Sequence, residues 1–140
     1  MEAHTDIEKL LEAHKLSNTS CRRSALDLFI KTPYALSHQE VEKALNQEFD
    51  RVTLYRTFNS FEEKGLIHKV IDGEGITKYA FCHHDCSTAS HNDSHLHFSC
   101  SKCNKTTCID QVAIPEFKLP EGFLLEKISL NAEGICGKCR

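Results

Sequence analysis

A chain of 140 residues, 40% apolar and 26% charged, has the length of one ordinary domain or two small ones and the composition of a globular protein. Its net charge of −3 offers no global attraction for nucleic acid, so any basic surface must be local. No apolar run approaches the ~20 residues of a membrane span and no signal-peptide stretch opens the chain, so its eight cysteines point to reduced thiols and metal in a cytoplasmic protein.

Seven of the eight cysteines lie in 82–139, and five of the nine histidines lie from His83 to His97. This asymmetry predicts two parts with different jobs, 1–78 and 79–140. Each would be small enough to need help, because a core below about 70–80 residues rarely supplies more than ~3–5 kcal/mol.

Thr5-Asp-Ile-Glu8 reads as a capping box opening a short helix that ends near Leu16. After the break at Ser17-Asn-Thr-Ser20, residues Ala25, Leu26, Phe29 and Ile30 mark the buried face of a second helix that stops before Pro33. Ser37-His-Gln-Glu40 is a second capping box, and Val41, Ala44 and Leu45 carry the third helix. A fourth is predicted over 51–64, capped by Asp50 and stopped by Gly65. Leu54, Phe58 and Phe61 fall on one face of it. The other face carries Val52, Tyr55, Arg56 and Asn59, residue types that read base edges and phosphates in a major groove, although a solvated helix of a bundle presents such residues too. The third and fourth helices make a helix-turn-helix. Strands over 66–71 and 76–81 around Asp72-Gly-Glu-Gly75 then add a β-hairpin wing. Lys15, Arg22, Arg23, Lys64 and Lys69 are candidate phosphate contacts around it.

Residues 82–97 form a polar loop rich in Cys and His that ends on a strand. His95 and His97 alternate across Leu96, so both imidazoles point to one face, a half-site for zinc or another divalent transition metal. His68 and Cys82 flank the wing and can close that set; alone, they read as a surface histidine and a small core residue. Cys100-x-x-Cys103 is answered by Cys136-x-x-Cys139. Two such turns complete a four-thiolate zinc site, favoured here over two disulfides or four unlinked core thiols. Residues 104–135 separate the pairs, longer than the usual ribbon spacing of about 15–20. Doubling a loop costs only about 0.6 kcal/mol, against roughly 10–16 kcal/mol from structural zinc. Cys108, five residues after the first CxxC, reads as either a buried thiol or a metal-site neighbour, the buried thiol being favoured. Strands near 97–99, 106–110 and 123–130 make a small antiparallel sheet, with a helix or turn over 111–120 shortened by Pro115 and Pro120.

The ordered set of Thr53-Leu-Tyr-Arg-Thr57, Lys64-Gly-Leu-Ile67, Tyr79, His95-x-His97, CxxC and a terminal Gly134-x-Cys-x-x-Cys139 resembles the ferric uptake regulator (Fur) family of metal-responsive repressors, over about 10–139. The resemblance implies an α+β protein: an N-terminal winged-helix DNA-binding domain, then a small α/β dimerisation domain with a three-stranded antiparallel sheet. It also implies a homodimer that grips a palindromic operator in double-stranded DNA when its sensory metal is bound. Cys100, Cys103, Cys136 and Cys139 fall on the family's structural zinc ligands, and Tyr55 and Arg56 on its recognition helix. The iron-sensing branch uses a histidine and a glutamate where this chain has Ala35 and Ala80. The zinc-sensing branch's ligands fall on His68, in place of the usual aspartate, Cys82, His95 and His97. A regulatory zinc is therefore expected, with Fe2+ or Mn2+ as the alternative. The rival readings are an iron- or peroxide-sensing repressor and a thiol redox switch through Cys82, Cys86 or Cys108. No enzyme is expected: the P-C-x-x-C that zinc deaminases combine with H-x-E does not occur.

Overall fold

The computed structural model describes residues 2–81, 96–109, 116–126, 128 and 130–140, so Cys82, Cys86 and His95 and most of the loop before β3 lie outside the described residues. Four helices come first: α1 (Glu2–Ala13), α2 (Ser20–Lys31), α3 (His38–Ala44) and α4 (Arg51–Glu63). Five strands follow: β1 (Ile67–Ile71), β2 (Thr77–Phe81), β3 (Leu96–Cys100), β4 (Thr106–Ile109) and β5 (Leu130–Gly134).

The helix limits follow local chemistry. Thr19 Oγ1 accepts from the Arg22 amide at the start of α2, and Ser37 with Glu40 forms the expected reciprocal capping box on α3. Three helices end in one device. Lys15, Asn46 and Gly65 take positive φ (58°, 54° and 78°), and the next amides, of Leu16, Gln47 and Leu66, reach back to Leu11, Glu42 and Phe61 carbonyls. One expectation is corrected here: Thr5 lies inside α1 and does not cap it. Asp50 is the N-cap residue of α4 as expected, although its carboxylate accepts from the Thr53 hydroxyl rather than from a backbone amide.

One apolar core joins the helices: Leu11, Leu26, Phe29, Val41, Leu54, Phe58, Phe61 and Ile67 are all buried, with Phe29 edge-on to Phe58 at 5.3 Å. Phe61 is fully enclosed. Phe61→Ala is expected to lower stability by about 3–5 kcal/mol, read as a fall in the denaturant midpoint at unchanged slope.

The wing forms as expected. β1 and β2 pair antiparallel with His68 opposite Ala80 and Val70 opposite Lys78. Asp72 Oδ1 accepts from the Glu74 and Ile76 amides, both at 2.9 Å, and closes the turn. The hairpin has two uses. Ile67, Tyr79 and Phe81 pack on the helices, whereas His68, Val70, Lys78 and Ala80 are buried on the alternate positions, where Val70 and Ala80 share a cluster with Cys108 of the second sheet.

That second sheet has the order β4-β3-β5, and it is mixed. β3 pairs antiparallel with β4 but parallel with β5, Cys100 lying beside Gly134. The expected all-antiparallel sheet is thus corrected. Both β3 and β5 run into a CxxC turn, and only parallel strands bring the two turns to the same end. The strand expected over 123–130 is corrected as well. Residues 123–126 are irregular after Gly122, at φ +90°, and the strand is Leu130–Gly134. Residues 116–120 carry no helix, and 111–115 lie outside the described residues. No helix among the described residues is long and apolar enough to cross a membrane.

Candidate metal centres and nucleic-acid face

The two CxxC turns face each other. Ser101 N donates to the Gly134 carbonyl at 2.8 Å, and Asn104 N closes the first turn on the Cys100 carbonyl at 2.9 Å. A Cβ at Gly134 would lie 3.0 Å from the Phe98 ring, which would have to shift by a few tenths of an ångström to admit it. The sulfurs of Cys100, Cys103, Cys136 and Cys139 all lie within 4.8 Å of one another. Cys103 and Cys136 are 3.9 Å apart, too far for the ~2.05 Å of a disulfide but close to the roughly 3.8 Å edge of a tetrahedron with 2.3 Å zinc–sulfur bonds. No described cysteine is in a disulfide.

The electrostatics suit a cation. The Cys103 and Cys136 amides point at Cys100 Sγ (3.5 and 3.4 Å) and hold that thiol down at about 6. Cys139, against the Cys136 sulfur, is pushed up to about 12. Four thiols in contact cannot all ionise alone, and a divalent ion among them removes the conflict.

A second cluster joins the wing to the other sheet. His68 on β1, His97 on β3 and Cys108 on β4 bring their ligand atoms within 4.8 Å of one another. His68 Nε2 is 3.1 Å from Cys108 Sγ, and the His68 and His97 rings stack at 5.8 Å. His68 is 4% exposed and His97 3%, so His68 is no surface histidine. Cys108, for which the sequence favours a buried thiol over a metal-site neighbour, is half-buried and directly opposite His97 in the β3–β4 ladder. The signal was present: counting outward from the first CxxC turn as a hairpin pairs 97 with 108. Of the four expected regulatory residues the structure thus brings His68 and His97 together and adds Cys108. Ala35 and Ala80, which the resemblance sets where the iron-sensing branch has ligands, are methyl groups packed beside Cys108 and supply no donor atom.

The four residues expected to read DNA lie on the solvent face of α4. Val52 and Tyr55 are 56% and 50% exposed, and Arg56 and Asn59 are exposed as well. Tyr55 lies flat on His38 at 3.7 Å. Burial, helped by Arg51 and opposed by Glu42, lowers the His38 pKa, so a neutral imidazole supports the ring. Arg22 and Arg56 line one hydroxyl-rich depression with Ser17, Thr19, Thr53 and Ser60, while Lys15 is exposed at the end of α1.

A family model described as the Ferric uptake regulator family matches residues 13–131. The ferric uptake regulation protein of Staphylococcus aureus is 27% identical over 140 residues, covering 96% of this chain and 96% of that protein. The one of Staphylococcus epidermidis is 28% identical over 141 residues, covering 96% and 94%. Among solved structures, a zinc uptake regulator complexed with zinc and DNA gives a TM-score of 0.67 at 19% identity, covering 99% of this chain and 93% of that one. The Helicobacter pylori ferric uptake regulator, with three functional metal binding sites, gives 0.59 at 16% identity, covering 99% and 91%.

Proposed function

Because this chain belongs to the Ferric uptake regulator family, whose members are metal-responsive transcription regulators and not enzymes, we propose that it is a cytoplasmic, zinc-responsive repressor of metal-uptake genes. The observation that carries this reading is the His68, His97 and Cys108 cluster, which joins the wing of the DNA-reading half (1–78) to the sheet of the other (79–140). Two imidazoles and a thiolate suit zinc better than an oxygen-rich iron or manganese site would. Cys82 and His95 remain proposed further donors. Cys100, Cys103, Cys136 and Cys139 are the proposed structural zinc ligands. Zinc, when bound at the regulatory cluster, supplies the coordinate bonds that tie β1 to β3 and β4.

The residues of the chain then do the rest. Fixing the hairpin against the sheet fixes the attitude of α4. In a homodimer this sets the spacing of two recognition helices, which must match half-sites of a palindromic operator. The exposed Phe117, Phe123, Leu124, Leu125 and Ile135 of the C-terminal part are the proposed apolar surface for that dimer. Val52, Tyr55 and Asn59 read bases, and Arg56, Arg22 and Lys15 meet phosphates or bases. Arg56→Ala is expected to weaken operator binding by about 1–3 kcal/mol at fixed salt.

The similarity to proteins named as ferric regulators supports a second reading, an iron-responsive repressor on the same scaffold. The test is binding of the full-length protein to the promoter of its own gene after chelation, titrated with zinc, Fe2+ and Mn2+ in turn. Zinc restoring binding at the lowest free concentration supports the proposal. Restoration by Fe2+ or Mn2+ alone refutes it, and loss of binding on peroxide with no response to chelation favours a thiol switch.

A further inference from the structure

A lysine is buried in the seam between the wing and the second sheet. Lys78 is 7% exposed, and its Nζ donates to the Asn104 carbonyl at 3.0 Å while lying 3.4 Å from Asp72 and 3.8 Å from Glu40. It therefore touches the wing turn, the first helix of the helix-turn-helix, and the residue directly after the first CxxC turn. Burial raises the pKa of the Asp72 carboxyl, but the Ile76 and Glu74 amides and Lys78 outweigh it and keep it below its usual range, so Asp72 faces Lys78 as a carboxylate. Replacing a buried ion pair by well-packed apolar residues is often neutral or stabilising, so the pair is weak evidence of a role in stability.

The two residues that follow Asn104 also dock on the DNA-reading half. The Lys105 ammonium sits 4.5 Å over the Tyr34 ring, and Thr106 accepts from the Ala35 amide at 2.7 Å. Between the wing turn and Ser99–Asn104, by contrast, lies a cleft of about 210 Å³, so at that end the seam is held by polar contacts rather than by close packing. None of these contacts uses His68, His97 or Cys108. Yet Lys78 lies diagonal to His68, on the same face of the same hairpin. Whatever holds Lys78 to Asn104 also holds His68 toward His97 and Cys108.

We infer that Lys78 is a positioning residue that sets the metal threshold of the regulator, by fixing how much of the wing-to-sheet closure is present before the regulatory ion arrives. The inference rests on the proposed regulatory cluster. Its consequence follows from linkage: metal and operator both select the closed arrangement, so each apparent affinity scales with the closed fraction. Removing the clamp lowers that fraction, and a tenfold fall has three coupled results. Metal binds about tenfold more weakly, operator binding without the regulatory metal weakens about tenfold, and operator binding at saturating metal does not change.

The test uses the full-length protein with its four-cysteine site zinc-loaded, titrated with Co2+ and followed by thiolate-to-cobalt charge transfer, alongside operator titrations with and without Co2+. Lys78→Met is expected to show the three results together, and Lys78→Arg to restore wild-type behaviour. Lys78→Met with Asp72→Asn removes the stranded carboxylate and is expected to behave as Lys78→Met does. Unchanged Co2+ affinity in both Met variants overturns the inference, as does an equal loss of operator binding with and without metal. A charge-transfer band that survives in the double variant Cys82→Ser with Cys108→Ser overturns the regulatory-site reading instead, so the two failures are distinguishable.

Discussion

Cys100→Ser is expected to dissolve the C-terminal half of the molecule while leaving the helical half folded. The reason lies in the distribution of burial. Thirteen buried apolar residues hold α1–α4 and the start of β1 together, whereas Cys100 is the one buried apolar residue among the described residues after 81. A three-stranded sheet of 4–5-residue strands without its own apolar core cannot offset the chain entropy of ordering it. The proposed zinc site, with an apparent contribution of roughly 10–16 kcal/mol, can. A serine hydroxyl at position 100 does not ionise near neutrality and breaks the tetrathiolate. The expected result is loss of one zinc per chain, a monomeric elution volume, and disappearance of the C-terminal melting step with helical circular dichroism retained. An unaltered melting profile with full zinc content would remove the structural role from these cysteines.

His97→Ala is expected to do the opposite, sparing the fold and abolishing the response. His97 sits in the central strand of the second sheet, between Cys108 across the ladder and His68 on the wing. Without it the proposed regulatory centre keeps only two of its three described donors. Loss of an outer-shell partner alone costs such sites about 10–100-fold, so loss of a direct ligand is expected to weaken metal binding by at least that much. Operator binding should then become indifferent to zinc while the four-cysteine site stays loaded and the melting curve stays close to wild type. His97→Gln, which fills the same space, separates ligand loss from cavity formation. Metal-responsive operator binding by both variants would refute the regulatory assignment.

How much of this was readable before the fold was known depends on the reach of each signal. The capping box at Ser37, the stop at Gly65, the turn at Asp72 and the division of α4 into a buried and an exposed face were all legible, because each is decided within a few residues of chain. Thr5 misled for the same reason: its pattern is local, but α1 began three residues earlier and left Thr5 in the helix interior. Tyr55 was expected to be a reader, but nothing near it in sequence revealed that His38, seventeen positions away, is the plate it rests on.

The sequence by itself determined the helices, the hairpin and the two CxxC turns, since these are settled by hydrogen bonds and periodicities that span no more than about five residues. Tertiary structure decided the parallel β3–β5 pair, the entry of Cys108 into the second cluster and the burial of Lys78 against Asn104. Those outcomes depend on which face of the hairpin meets which strand. No short window carries that choice, and it is fixed only when two CxxC turns far apart in the chain must meet at one end of a single sheet.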